Sequence, residues 1–189
     1  YNVRYFFYNG GNDSMDTCNK ISKYMQKVGY ECRIMGVPKT IDNDLNGTDH
    51  CPGFASAAKY IATSCAEVWQ DAHVYDTGMI TIIEIMGRHA GWLAGSAALA
   101  SLTGGFGHAQ LGGLAAHLAD TVKQATGAKV RGIELSLLQR CGAHLASKTD
   151  VKEAWQAGAA AVNAAVEGVT DKMVAFKCTR EGGYTCETS

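Results

Sequence analysis

The stretch GVPKTIDNDLNG at 36–47 puts Lys39, Asp42, Asn43 and Asp44 into one short loop. A carboxylate beside a substrate hydroxyl can take its proton as a general base, and a second can hold that base in place or help bind a metal. The lysine can neutralise charge on a phosphoryl group in transfer. An Asx-turn network accounts for Asn43 or one aspartate, but not for Lys, Thr and both acids together. GGNDSMDT at 10–17 offers a complementary chemistry. Gly10 and Gly11 let backbone N–H groups approach an oxyanion, and the helix start that follows favours negative charge. The structural alternative is a tight turn with Asp13 or Ser14 as N-cap.

Two further segments carry arginines. MGRHAGW at 86–92 places Arg88 at a helix start, where its fork can hold a phosphate, or else pair with an acid such as Glu84. His89 reads as a helix-start hydrogen-bonding residue and Trp92 as core. VRGIELSLLQRCGAH at 130–144 offers Arg131 and Arg140 at opposite ends of one strand. They cannot share one phosphate within a subunit, so one of them is expected to act between subunits; otherwise each is an ordinary charged strand end.

These segments need elements to position them. Short β-branched and apolar runs predict strands at 3–9, 31–37, 79–87, 130–139 and 172–177. Apolar spacing of helical period predicts helices at 13–28, 54–72, 90–102, 108–127 and 151–168, the last capped by Thr149 or Asp150. Strand and helix alternate, which argues for an α/β fold with parallel sheet and helices on both faces. In that fold the four polar segments fall at the carboxyl ends of strands, where such folds place their sites. The tail TREGGYTCETS carries no readable signal.

Composition narrows the function classes. The chain has 189 residues, 47% of them hydrophobic and 19% charged, as expected of a globular protein with one good core or two small lobes. A formal net charge of -1 gives no electrostatic argument for nucleic acid or an anionic membrane. Seven cysteines, with no CxxC pair, are expected to be reduced thiols in a cytoplasmic protein rather than a disulfide framework or zinc site. The uncharged stretch 90–119 is broken by Gly104, Gly105, Gly107 and two histidines, so no membrane span is expected. No signal peptide is expected, since Asn2 and Arg4 interrupt the only short apolar start; the first residue is Tyr1, so a natural start is expected to be missing.

Taken together, GGNDSMDT, GVPKTIDNDL, IEIMGRHAGW, FGHAQLGG and RGIELSLLQR resemble the phosphofructokinase family, and within it the pyrophosphate-dependent type. They follow the family's order and cover nearly the whole chain. The resemblance implies a two-lobed fold of Rossmann-like parallel sheets, divided here into 1–103 and 104–189. It implies phosphoryl transfer to the 1-hydroxyl of fructose 6-phosphate with Mg²⁺, in a homodimer or homotetramer. Asp42 matches the family's proton acceptor, with Lys39 and Arg88 as its catalytic cations. Thr40, Ile41, Asp44, Met86, Gly87, Arg131 and Arg140 match sugar-phosphate contacts, Arg131 reaching a neighbouring subunit. Gly10, Gly11, Asp13 and Ser14 match the donor turn.

Donor choice follows from two positions. ATP-using members resemble GGDGS and PGTIDND, with glycines where this chain has Asp13 and Lys39. A carboxylate at Asp13 would repel the α-phosphate of ATP and fill its space, while Lys39 would bind the pyrophosphate that remains. The alternatives are an ATP-dependent phosphofructokinase, a lipid or NAD kinase sharing only the glycine turn, and a shortened, non-catalytic remnant that binds sugar phosphate or oligomerises. Three residues depart from the family pattern: Asn12, where many members have an aspartate near Mg²⁺, Leu137 and Met79. Asn12 therefore stands as the metal-side candidate. The N-terminal glycine-rich region is absent, and the chain passes from Leu102 to GGFGHAQLGG without a segment that normally holds a further strand.

Overall fold

The computed structural model describes residues 1–99 and 113–189. They form two compact units, one made of 1–54 and 148–189, the other of 55–147. The expected lobe boundary at 103/104 and the FGHAQLGG segment before its last glycine, Gly113, lie outside the described residues.

The first unit is built on a parallel sheet in the order β1 (Tyr5–Gly10), β2 (Arg33–Pro38), β5 (Lys172–Met173). Parallel pairing requires crossovers, and helix α1 (Asn12–Lys27) supplies the one between β1 and β2. Strand alternation sends neighbouring residues of β2 to opposite faces. Met35 packs with Ala157, Ala161, Val174 and Phe176, whereas a Cβ at Gly36 would stand 2.5 Å from Met15 Sδ of α1. The sheet is thus covered on both sides, as the sequence predicts. The second cover is α5 (Lys148–Val166), whose Ala157, Ala161 and Ala165 recur every fourth residue and are at most 1% exposed. Small side chains at that spacing let the helix lie close to β2.

Three expectations are corrected in this unit. Helix α5 starts at Lys148, so Asp150 lies within its first turn, buried, and does not cap it. The expected strand 172–177 is two strands: β5, and β6 (Phe176–Thr179), which turns back to pair antiparallel with β7 (Thr185–Thr188). In that hairpin Cys178 and Cys186 are directly opposed and joined as a disulfide, so these two cysteines are not the free thiols expected of all seven. The tail carried no strand signal because Gly182 and Gly183 mark the turn while short polar strands give no apolar alternation.

The second unit pairs β3 (Met79–Glu84) and β4 (Lys129–Glu134) in parallel, joined by α3 (Trp92–Ser96), a 3-10 turn at Ala97–Leu99 and α4 (Leu114–Thr126). Helix α2 (Phe54–Ala72) enters this unit from Ala55 onward, burying Ala57 and Ile61. Helix α4 lies flush on β4, because a Cβ at Gly132 would meet the Ala115 carbonyl oxygen at 2.6 Å. The expected strand 130–139 ends at Glu134, where the chain turns into a 3-10 helix over Ser136–Arg140. Ser136 takes a positive φ of 45° at that corner. Among the described residues no helix is long and apolar enough to cross a membrane.

Candidate functional site

In the first unit the register of β1 and β2 sets Gly10 opposite Pro38, so the GGND turn and the PKTIDND loop leave the sheet at the same edge. The Lys39 N–H donates to the Gly10 carbonyl at 2.9 Å, extending the ladder by one bond. One hydrogen bond then ties the two loops directly: Asn12 Nδ2 donates to Asp44 Oδ2 at 2.8 Å. The structure therefore brings Gly10, Gly11, Asn12, Asp13 and Ser14 together with Lys39 and Asp44.

Gly10 is required here, because a Cβ would lie 2.0 Å from Ser14 Oγ. Gly11 is the N-cap of α1 and accepts from the N–H groups of Ser14 and Met15, each at 3.1 Å. Asp13 is exposed in the first turn of that helix, where a negative charge suits the macrodipole. Ser14 packs under Gly10 and is not the cap.

The second loop is held from within. Thr40 forms a parallel bridge with Gly53, and its Oγ1 accepts from the Asp42 N–H at 3.2 Å. Asn43 sits at φ 52°, a left-handed conformation that Asn tolerates better than most residues, and its Oδ1 accepts from the Cys51 N–H at 2.8 Å. Leu45 is buried beneath the loop, whereas Lys39 is exposed and Thr40, Ile41, Asp42 and Asp44 are half-buried. The loop thus anchors its apolar residue and presents its charges.

In the second unit β3 and β4 end side by side, with Glu84 opposite Glu134. The segments that follow are tied by buried Gln139, whose Oε1 accepts from the Met86 N–H at 3.0 Å and whose Nε2 donates to the Ser136 carbonyl at 2.8 Å. This joins the MGR segment to the turn that carries Arg140. Gly87 has φ 128°, and a Cβ there would stand 2.6 Å from the Ala90 carbonyl oxygen. Arg88 and Arg140 are both exposed.

Two acids bear on the candidate arginines. Glu84, a possible partner for Arg88, is buried and its Oε2 accepts from the Ala115 N–H at 3.0 Å, holding the start of α4. Arg131 pairs with Asp71 in the same chain at 2.6 Å. Sequence reasoning assigned no role to Gln139, although its place beside Arg140 in the QR pair was visible. It also passed over His50, buried with Asp150 and Glu153. A lone histidine gives little signal, and a D-x-x-E pair at an expected helix start gives only slightly more.

The phosphofructokinase family model matches residues 1–105. The chain is 39% identical to the pyrophosphate–fructose 6-phosphate 1-phosphotransferase of Halomonas elongata, over 97% of this chain and 58% of the relative. It is 41% identical to the enzyme of that name from Xanthomonas campestris pv. campestris, with the same two coverages of 97% and 58%. Among solved structures it is similar to the pyrophosphate-dependent phosphofructokinase of Nitrosospira multiformis, with a TM-score of 0.89 and 34% identity, over 99% of this chain and 58% of that one. The chain thus spans 58% of the length of the relatives it matches. The Halomonas alignment runs over 242 positions against the chain's 189 residues, so that relative holds internal residues this chain lacks.

Proposed function

The chain belongs to the phosphofructokinase family, and on that premise we propose that its parent protein moves a phosphoryl group from pyrophosphate to the 1-hydroxyl of fructose 6-phosphate. The observation that carries this reading is the Asn12–Asp44 hydrogen bond, which joins the donor turn to the loop of Lys39 and Asp42. Asp42 takes the proton of the 1-hydroxyl as that oxygen attacks the terminal phosphorus of pyrophosphate. The phosphoanhydride bond breaks, and orthophosphate leaves as fructose 1,6-bisphosphate forms. Lys39 and the N–H groups at Gly11 and the start of α1 offset the charge on the pyrophosphate oxygens.

Phosphate recognition in the second unit is assigned to Arg88 and Arg140, with Met86 and Gly87 shaping the segment before Arg88. Thr40, Ile41 and Asp44 are assigned to the sugar. The expected role of Arg131 in a homodimer or homotetramer requires its guanidinium to leave Asp71. Both side chains are well exposed, at 41% and 53%, and such a pair is worth only about 0–1 kcal/mol.

The donor set at the first loop suits a small divalent cation of the Mg²⁺ type. Asp42, Asp44 and Asn12 offer only oxygen ligands, on half-exposed loops where an ion could keep waters and bind substrate phosphates as well. Asn12 contributes chiefly by holding Asp44, since its amide nitrogen is the atom turned to that carboxylate. When bound, the ion would supply charge neutralisation of the phosphates.

The test is turnover of fructose 6-phosphate by the full-length parent, with pyrophosphate or ATP as donor. Fructose 1,6-bisphosphate formed from pyrophosphate supports the proposal. Turnover with ATP alone would replace it with the ATP-dependent reading, and binding of fructose 6-phosphate without turnover would favour a non-catalytic role.

A further inference from the structure

We infer that His50 is a positioning residue for the 39–44 loop, clamped by two carboxylates of α5; its catalytic consequence rests on the function proposed above. His50, Asp150 and Glu153 are 8%, 6% and 2% exposed. The ring's Nδ1 is hydrogen-bonded to Glu153 Oε2, and Nε2 lies 3.5 Å from Asp150 Oδ1. The other Glu153 oxygen accepts from the Tyr184 hydroxyl at 2.8 Å. Buried carboxylates are costly unless partnered, and here the ring lies between both of them. A packing role alone would be served more cheaply by an apolar side chain.

The clamp acts on the loop through one residue. Cys51, next to His50 and fully buried, donates its N–H to Asn43 Oδ1, the residue that sets the left-handed turn between Asp42 and Asp44. The segment before His50 is fixed as firmly. Thr48 Oγ1 donates to the His50 carbonyl and accepts from the Phe176 N–H, both at 2.9 Å. Asp49 donates its N–H to the Phe176 carbonyl and accepts from the Cys178 N–H, again at 2.9 Å. Residues 48–51 are therefore a strut from α5 and β6 to Asn43, with His50 as its buried pin.

The three side chains also qualify by proximity as metal ligands, their atoms lying within 4.8 Å of one another. The hydrogen bond between Nδ1 and Glu153 leaves no room for an ion between those two atoms, however, and Nε2 faces Asp150 at ion-pair distance, so the ring itself bridges the two acids.

Hydrogen exchange of the full-length protein tests the clamp without relying on activity. In His50→Gln, amides of 40–53 should exchange about tenfold faster, as expected for local opening after loss of a buried hydrogen bond, while amides of β2 stay unchanged. With pyrophosphate and fructose 6-phosphate, kcat should fall about tenfold while KM for the sugar stays within about twofold, as for a group that orients the reacting loop. Unchanged exchange in the loop, or an equal rise throughout β2, would overturn the inference. Should His50→Gln fail to fold, Tyr184→Phe removes one support of Glu153 and should raise loop exchange about threefold; no rise would overturn it equally. If the unmodified protein shows no turnover, the proposed function fails, while the exchange result still decides the role of His50.

Discussion

Asn43 does two jobs that an apolar side chain could not share. It tolerates a left-handed backbone between Asp42 and Asp44, and its amide oxygen satisfies the buried Cys51 N–H. That explains why the loop needs an asparagine between its acids, a point the sequence could frame but not answer. The Cys51 thiol below it is buried, and that burial pushes its pKa up to about 11, with Asp44 adding in the same direction. A thiol reacts as its thiolate, so Cys51 should resist alkylation while exposed Cys141 is modified first. Iodoacetamide labelling at pH 8 with peptide mass spectrometry checks this. Labelling of Cys51 at the rate of Cys141 would show that the loop does not bury it in solution.

Elements position these residues through close backbone approaches that constrain single glycines. Gly132 lets α4 touch β4, and any side chain there would run into the Ala115 backbone, which cannot swing aside as a side chain can. Gly132→Ala should therefore destabilise the second unit by about 1–3 kcal/mol, the usual cost of overpacking, measured by urea denaturation. The C-terminal hairpin has a different dependence. Burial and then the Glu153 hydrogen bond raise the Tyr184 phenol above its ordinary range. A raised folded pKa contributes stability that is complete below the unfolded value of about 10 and is lost as pH rises through the folded one. Thermal melts should therefore fall above pH 10 more steeply in the wild type than in Tyr184→Phe. Parallel slopes would separate Tyr184 from Glu153. The helices α1 and α2, each burying one face, and the apolar strand β2 were legible because burial writes itself into the sequence. The ends of β4 and α5 were not, because Gln139, Asp150 and His50 form buried polar ties whose partners lie far along the chain. The loops of the candidate site were legible as chemistry, since few structural needs place Lys, Thr and two acids together. Their mutual tie through Asn12 required the register of β1 on β2.

At the scale of the molecule, the chain holds its two loop systems on separate parallel sheets, one carrying the Lys39–Asp44 loop and the other the Arg88 and Arg140 segments. It spans 58% of its relatives' length, so the decisive assay belongs to the full-length parent. Asp13 and Lys39 are proposed to choose the donor, the acid excluding the α-phosphate of ATP and the cation holding pyrophosphate, a division of labour that is open to direct measurement. It is tested by the ratio of kcat/KM for pyrophosphate to that for ATP, before and after the double change Asp13→Gly and Lys39→Gly. Removing one charged phosphate contact and one repulsive carboxylate should lower that ratio by about a hundredfold or more. An unchanged ratio in a folded, active variant would contradict the account and place donor choice elsewhere in the protein.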